Sequence, residues 1–564
     1  MGCGNAREHL MMMKPSAVSL FLLGMLSTAV SAQTVPVERS AAVPKAGEKL
    51  ASSASPTMLE GFLRTQASEL LSRRRREVAA TTTPEQIAQR QKKLKAFFLQ
   101  SLGDLPERTP LNPRIVGARQ YPGYAIERIL FSSRPGHHVT ALLYLPEGKP
   151  PFPGVLVPCG HSANGKASDT YQRVCILLAR NGMAAFCYDP IGQGERIQKL
   201  DAGGKPAIRE GSTTEHTMAG IGALLVGRQA ASYRIWDGLR ALDYLAGRPE
   251  IDPARLGCTG NSGGGTMTAY LMALDDRVAA AAPSCYITSL ERLFATIGPQ
   301  DAEQNITGQV AAGMDHADYV TMRAPRPTLL CVGTRDFFDI QGSWDTFREV
   351  KLLYGRLGFG ERVDLFESDE PHGFTGPRRI ASVRWLRRWL LKIDDAVTEA
   401  DSPIAPDKEL QCTRTGQVLG DGPGVSVFDL NAERARQLRV PRARFSSSSS
   451  ASKFRSRIRE LLGMTGKEPA ARPIQVLGEI PGHGYRLRKF VIESEPGSAR
   501  ARDRARAGGA GLTDSDRGKS ECRSRARADP GRAGRASCTK RPPCRAGRLA
   551  GHGSDRSTHN TGSK

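Results

Sequence analysis

The residue types with reactive potential cluster around Gly260-Asn261-Ser262-Gly263-Gly264. A serine with glycine two positions before and two after suits a tight strand-to-helix turn, where close neighbours exclude larger side chains. Such a turn lifts the hydroxyl above the sheet and sets it at a helix N-terminus, which favours developing negative charge. G-x-S-x-G alone arises by chance, so its weight depends on a strand before it, a helix after it and partners downstream. A serine hydroxyl is a poor nucleophile near neutrality and needs a general base held by an acid. The order expected along the chain is serine, acid, histidine. Asp336 ends the apolar run RPTLLCVGTRD, and His372 follows VDLFES within Glu370-Pro371-His372-Gly373-Phe374. His316 lies upstream of the acid and so out of order. Asp339 is the rival acid, with Glu367 and Asp369 behind it. An oxyanion formed on attack needs preorganised N–H donors. These are expected from the backbone of Gly263 and from Gly160-His161-Ser162-Ala163-Asn164-Gly165, with His161 first and Ser162 next. A metal-ligating role for the His161 side chain finds no partners in the sequence.

The flanking pattern predicts the elements that would hold these groups. YAIERILFSS and VTALLYLPEG read as two strands joined at Pro135-Gly136, and FPGVLVPCG as a strand buried on both faces. A helix over 171–181 leads to the buried strand MAAFCYDP, followed by one long helix ending in RIWDGLRALDYLAG. Strand RLGCTG, helix GTMTAYLMALDD, strand VAAAAPSCYI and an irregular segment come next. Strand RPTLLCVGTRD, helix WDTFREVKLLYGRLG, strand VDLFES and helix IASVRWLRRWLLKI close the series. Strands alternating with helices imply βαβ units and a mostly parallel central sheet with helices on both faces. The segment Glu291 to Tyr319 falls where a cap over the pocket is expected, with Asp301, Glu303 and Gln304 as candidate contacts. Asp189, Arg196 and Asp237 read as polar ties between elements.

With GHSANGK, YDPIGQGER, GNSGGG, GTRDFF and PHGF in place, residues 106–393 resemble secreted bacterial α/β-hydrolases. The similarity is to the group of acetyl xylan esterases, dienelactone hydrolases and prolyl oligopeptidase catalytic domains. The resemblance implies the α/β-hydrolase fold and a carboxylic-ester hydrolase that deacetylates plant polysaccharide, and no metal or organic cofactor is expected. The serine turn departs from the G-C-S-R pattern of glucuronoyl esterases, and no β-propeller repeat precedes the domain. The alternatives are a serine peptidase of the same fold, or a non-catalytic polyanion- or envelope-binding protein. The expected partner is a small-molecule or polysaccharide ester, with no nucleic acid and no stable membrane insertion.

The remainder of the 564 residues divides by composition. Residues 1–32 have a secretory leader's charged start, short apolar run and Val30-Ser31-Ala32 site, which predicts a secreted or periplasmic protein. Residues 33–57 read as a linker and 58–105 as a helical extension, in which Arg73 to Arg76 suit a solvated face. The hydrolase domain is expected over 106–400 and a connector over 401–452. Residues 453–497 repeat the helix, strand, Pro-Gly turn and strand of 93–136, as a truncated second copy. From Ser498 to 564 the chain is rich in Arg, Ala and Gly and carries roughly half of the +23 net charge. That tail is expected to be disordered, as the product of a shifted reading frame or as a native basic tail. Among the 11 cysteines no C-x-x-C pair occurs, so neither a cysteine zinc site nor a dithiol redox site is supported.

Overall fold

A computed structural model describes residues 57–208, 211–462, 464, 474–482, 485–495 and 498–507. The expected leader, the linker up to residue 56 and the tail from residue 508 lie outside the described residues.

Nine strands form one sheet: β1 (Arg114–Tyr121), β2 (Tyr124–Arg134), β3 (His137–Pro146), β4 (Phe152–Pro158), β5 (Ala184–Tyr188), β6 (Ile251–Asn261), β7 (Val278–Ser284), β8 (Thr328–Arg335) and β9 (Val363–Pro371). They pair in the order β1-β2-β3-β5-β4-β6-β7-β8-β9. The pairings β1–β2, β2–β3 and β3–β5 are antiparallel. From β5 through β4 and β6 to β9 every pairing is parallel. This is the mostly parallel sheet of the α/β-hydrolase fold. All five residues of β5 are buried, as a strand covered on both faces must be.

The helices are α1 (Met58–Ala79), α2 (Pro84–Leu102), α3 (Asp169–Arg180), α4 (Ser212–Leu225), α5 (Ala230–Ala246), α6 (Gly263–Leu274), α7 (Leu290–Thr296), α8 (His316–Thr321), α9 (Ile340–Arg356), α10 (Gly376–Leu386), α11 (Val427–Ser448) and α12 (Ala451–Leu461). On one face of the sheet Trp236 and Leu242 of α5, Met267 and Tyr270 of α6 and Leu353 of α9 share one apolar cluster. On the other, Val174 and Leu178 of α3 meet Val383 and Leu386 of α10. The N-terminal helices join the first cluster: Phe98 of α2 packs edge-on to Tyr270 at 5.3 Å. Thr83 and Gln86 form a capping box at the start of α2, with Pro84 in its first turn, so this helix begins where its local sequence dictates.

Three features differ from the sequence reading. The single long helix before RLGCTG is two, α4 and α5, because the chain turns through Gly227 at φ +74°. The Arg73–Arg76 run is not wholly a solvated face: Arg74 is buried and bonds Asp318 (2.7 Å) and Glu349. With Arg90, also 2.7 Å from Asp318, it fastens α1 and α2 to the segment between β7 and β8. Residues 401–431 are more than a connector. Cys412 N–H and Thr413 N–H donate to Glu195, Ala405 N–H donates to Gln172, and Val427 is fully buried.

Further along the chain, β10 (Ile474–Gly482), β11 (Tyr485–Glu495) and β12 (Ser498–Ala507) form a separate three-stranded sheet in that order. Residues 498–507, where the tail was expected to begin, are described as strand β12, and the tail beyond them lies outside the described residues. The stretch SARARDRARA largely alternates Arg with Ala, the period-two pattern a strand requires. Among the described residues no helix is long and apolar enough to cross a membrane.

Candidate active site

Ser262 stands between the end of β6 and the start of α6, at φ +59° and ψ −124°. That backbone conformation is costly for a non-glycine residue and persists only where its surroundings enforce it. The enforcement is local. A Cβ on Gly260 would lie 2.5 Å from the carbonyl oxygen of Pro158, and one on Gly264 would lie 2.2 Å from it. The two motif glycines therefore let the turn press against the end of β4. Ser262 N–H donates to Ser284 O at 3.0 Å, tying the turn to β7.

The loop after β4 comes up beside the serine. A Cβ on Gly160 would meet the Ser262 Cβ at 3.1 Å. Gln193 braces this loop, donating from Nε2 to the carbonyls of Gly160 (2.6 Å) and Ser162 (2.9 Å). The Gly160 N–H donates to the Tyr171 hydroxyl. The His161 ring lies over Gly263, where a built Cβ would be 2.9 Å from its Cε1. Among the described residues the backbone N–H groups of His161 and Gly263 have no acceptor, so both are available to a ligand.

His372 and Asp336 meet. His372 Nδ1 lies 2.9 and 3.0 Å from the two carboxylate oxygens of Asp336. The Asp336 side chain is 2% exposed and that of His372 22%, so the acid is sheltered and the imidazole reachable. Burial alone would raise the Asp336 carboxyl. Its hydrogen bond and charge interaction with His372, with the Phe338 N–H, hold it below the usual range. Phe337 stacks on the His372 ring with centroids 4.1 Å apart. Among the described residues no hydrogen bond joins Ser262 Oγ to His372. The pair is coupled to the serine turn through Asn261: with its amide nitrogen turned toward them, it donates to Gly373 O at 3.2 Å and Ser284 Oγ at 3.0 Å. A long nucleophile–base contact is common before substrate binds.

The other candidates are engaged elsewhere. Asp339 takes both Arg292 guanidinium contacts, at 2.9 and 2.8 Å, and caps α9 through Gly342 N–H. Glu367 accepts from Trp344 Nε1, and Asp369 pairs with Arg335. His316 is buried against Tyr286, and burial lowers its imidazole to about 3. Ser162 Oγ turns back to Gly165 O. Gln304 donates to Thr266 Oγ1 at 3.0 Å. Asp189, Arg196 and Asp237 are buried ties: Asp189 holds Thr140 and Lys166, and Arg196 reaches Asp237 at 2.8 Å.

One cluster was not visible in the sequence. Glu303, fully buried, accepts from His161 Nε2 (2.7 Å) and Arg234 Nη1 (2.5 Å), and its other oxygen lies 3.1 Å from His216 Nδ1. Asp301 Oδ2 is 3.3 Å from the same His161 nitrogen. Burial would raise the Glu303 carboxyl, but the charges of His216 and Arg234 and the hydrogen bond from His161 hold it well below the usual range. Burial and the neighbouring Glu303 charge raise Asp301. One ligand atom from each of His161, His216 and Glu303 lies within 4.8 Å of the others, a spacing open to a metal ion. Arg234 already supplies positive charge at Glu303, and 2.7 Å is a hydrogen-bond separation, so the cluster fits an ion-pair network better.

The chain is similar to known hydrolases. Residues 88–307 match the family described as acetyl xylan esterase (AXE1), and residues 226–390 match the prolyl oligopeptidase family. A Bacillus subtilis (strain 168) protein named "Putative hydrolase YtaP" is 26% identical over 307 residues, covering 51% of this chain and 96% of that one. Among solved structures, methylesterase BT1017 superposes with a TM-score of 0.55 at 24% identity, over 67% of this chain and 81% of that one. An acetyl xylan esterase from Paenibacillus sp. R4 reaches a TM-score of 0.38 at 18% identity, over 55% and 96%.

Proposed function

We propose that this chain, an α/β-hydrolase enzyme similar to acetyl xylan esterases, is a serine-dependent carboxylic-ester hydrolase that forms an acyl-enzyme on Ser262. The observation that carries the reading is the His372–Asp336 pair (2.9 Å) beside a serine held at positive φ on a strand-to-helix turn. In this reading Ser262 Oγ attacks the ester carbonyl while His372 Nε2 takes its proton. Asp336 accepts the Nδ1–H, fixing the tautomer and stabilising the imidazolium. The negative oxygen is received by the backbone N–H groups of Gly263 and His161 at the head of α6. His372 then returns the proton to the leaving alcohol. A water activated by the same histidine attacks the acyl-enzyme, giving the carboxylic acid and free Ser262. No step calls on a metal or organic cofactor.

The family match over residues 88–307 favours acetyl esters of a polysaccharide as the substrate, and the leader-like composition of residues 1–32 favours a secreted or periplasmic setting. The match of residues 226–390 to the prolyl oligopeptidase family favours a second reading, a serine peptidase on the same machinery. Hydrolysis of p-nitrophenyl acetate, longer-chain esters, acetylated xylan and peptide anilides by the full chain, beside Ser262→Ala, tests both. Ester turnover that the variant loses supports the esterase, and anilide turnover exceeding ester turnover supports the peptidase. A folded chain without serine-dependent turnover of any ester or amide overturns both.

A further inference from the structure

We propose that the His161 side chain, locked by Glu303, is a specificity contact that accepts a hydrogen bond from a hydroxyl next to the scissile ester, selecting polyhydroxylated substrates. The inference rests on the esterase reading above and narrows its substrate class.

The argument begins with the tautomer. His161 Nε2 faces two carboxylates, Glu303 at 2.7 Å and Asp301 at 3.3 Å, which only accept when ionised, so Nε2 carries the proton. In the neutral imidazole Nδ1 is then the acceptor, and among the described residues it has no donor. The ring is not packed away: the His161 side chain remains 17% exposed, whereas His216 is at 1% and Glu303 at 0%. Its position is set by contact with the residue after the nucleophile. A Cβ on Gly263 would lie 2.9 Å from His161 Cε1 and 3.2 Å from Nδ1, so the Nδ1 edge borders the floor of the site. His161 also offers its backbone N–H to the carbonyl oxygen of the ester. A side chain on that same residue reaches atoms only a few bonds from the scissile one.

The support behind the ring is strong for a merely structural contact. Glu303 comes from the segment between β7 and β8, 142 residues away in sequence. Arg234 of α5 holds it at 2.5 Å and donates from Nη2 to the Cys159 carbonyl at 3.2 Å, joining the cluster to the end of β4. Three ionisable groups buried together, Glu303, Arg234 and His216, are costly unless their geometry is used. A histidine whose second nitrogen is fixed by a carboxylate is oriented and tautomer-locked, as a group that must meet a ligand should be. Glu303 is the positioning residue, since it acts through His161. A site built to hydrogen-bond a hydroxyl discriminates strongly against an analogue lacking it, because the acceptor is left unpaired once the bound substrate covers it.

The test compares kcat/KM of the full chain on three acetates: a monoacetylated methyl xyloside with its neighbouring hydroxyls free, the same compound O-methylated, and p-nitrophenyl acetate. The intact protein is expected to prefer the free-hydroxyl ester over its methylated analogue by about 10²-fold or more. His161→Phe lowers activity on all three but falls about 10²-fold further on the free-hydroxyl ester, collapsing the preference. Glu303→Ala collapses it too, while Glu303→Gln, which still accepts from Nε2–H, restores it. Should His161→Phe fail to fold, the Ala and Gln variants at Glu303 carry the comparison. Equal losses on all three esters, or no preference in the intact protein, overturn the proposal while the esterase reading stands. Absence of any serine-dependent ester turnover removes both.

Discussion

Two histidine–carboxylate pairs flank Ser262, and they differ in what else holds the acid. Asp336 is bonded by His372 and by the Phe338 N–H, and among the described residues no arginine or lysine pairs with it. Glu303 is bonded by His161 and also by Arg234, with His216 at its other oxygen. An acid whose only cationic partner is its histidine stabilises a proton arriving on that ring, which is what a general base needs. An acid already neutralised by arginine gives less to its histidine electrostatically and more in position. The elements agree with this division. Asp336 and His372 sit at the ends of the neighbouring strands β8 and β9, close to the serine turn, while Glu303 arrives on a segment outside the sheet. The same pair of side-chain types thus suits the two tasks proposed above, proton transfer and recognition.

Removing the acid of the first pair breaks that contrast most severely. Asp336→Asn leaves the shape but allows His372 the wrong tautomer, and kcat is expected to fall by about 10⁴-fold with KM little changed. Asp339→Asn serves as the counterpart. Its carboxylate is occupied by Arg292 and by the cap of α9, so its loss should cost about 1 kcal/mol of stability and less than about threefold in kcat. Steady-state kinetics and thermal denaturation of the two variants check this, and a reversed order would move the acid's role to Asp339.

This contrast also marks what the sequence makes legible. The parallel sheet follows from apolar runs alternating with amphipathic helices. Ser262, Asp336 and His372 stand out because a glycine-framed serine and a fixed chain order leave few choices. The second pair has no such signal. His161 and Glu303 are 142 residues apart, Arg234 sits in an ordinary amphipathic helix, and His216 lies on a helix whose local pattern says nothing of its neighbours. Contacts set by tertiary folding carry no short-range spacing. Arg74 misleads for the same reason: a four-arginine run has the look of a solvated face until Asp318, 244 residues later, meets it.

Gly263→Ala sharpens the comparison at intermediate cost. The added methyl group would lie 2.9 Å from His161 Cε1, so the ring must shift away from the serine turn. The variant keeps the His372–Asp336 pair intact, yet it disturbs both the proposed oxyanion donors and the second pair. A loss of about 10- to 10²-fold in kcat is expected, below that of Asp336→Asn. A crystal structure showing the His161 ring displaced while His372 is unmoved would tie the loss to the second pair. Wild-type turnover would mean that the ring has room the close contact denies.

The smallest effect concerns two histidines that burial keeps neutral, and it appears in stability rather than turnover. Burial lowers the His316 imidazole to about 3 and that of His137 to about 4. The unfolded chain takes up a proton at each near pH 6.5, whereas the folded chain refuses it until far lower pH. The unfolded state therefore binds more protons in this window, so stability is full above about pH 6.5 and declines as pH falls toward 4 and then 3. Each histidine contributes a slope of up to about 1.4 kcal/mol per pH unit. His316→Gln removes one of the two slopes while preserving a side-chain acceptor for the Thr288 N–H, now 3.3 Å from Nδ1. Calorimetry between pH 7.5 and 5 should show the intact protein losing more of its Tm than the variant. An equal decline in both would mean that His316 is protonated in the folded protein, and that burial without a carboxylate does not keep this histidine neutral.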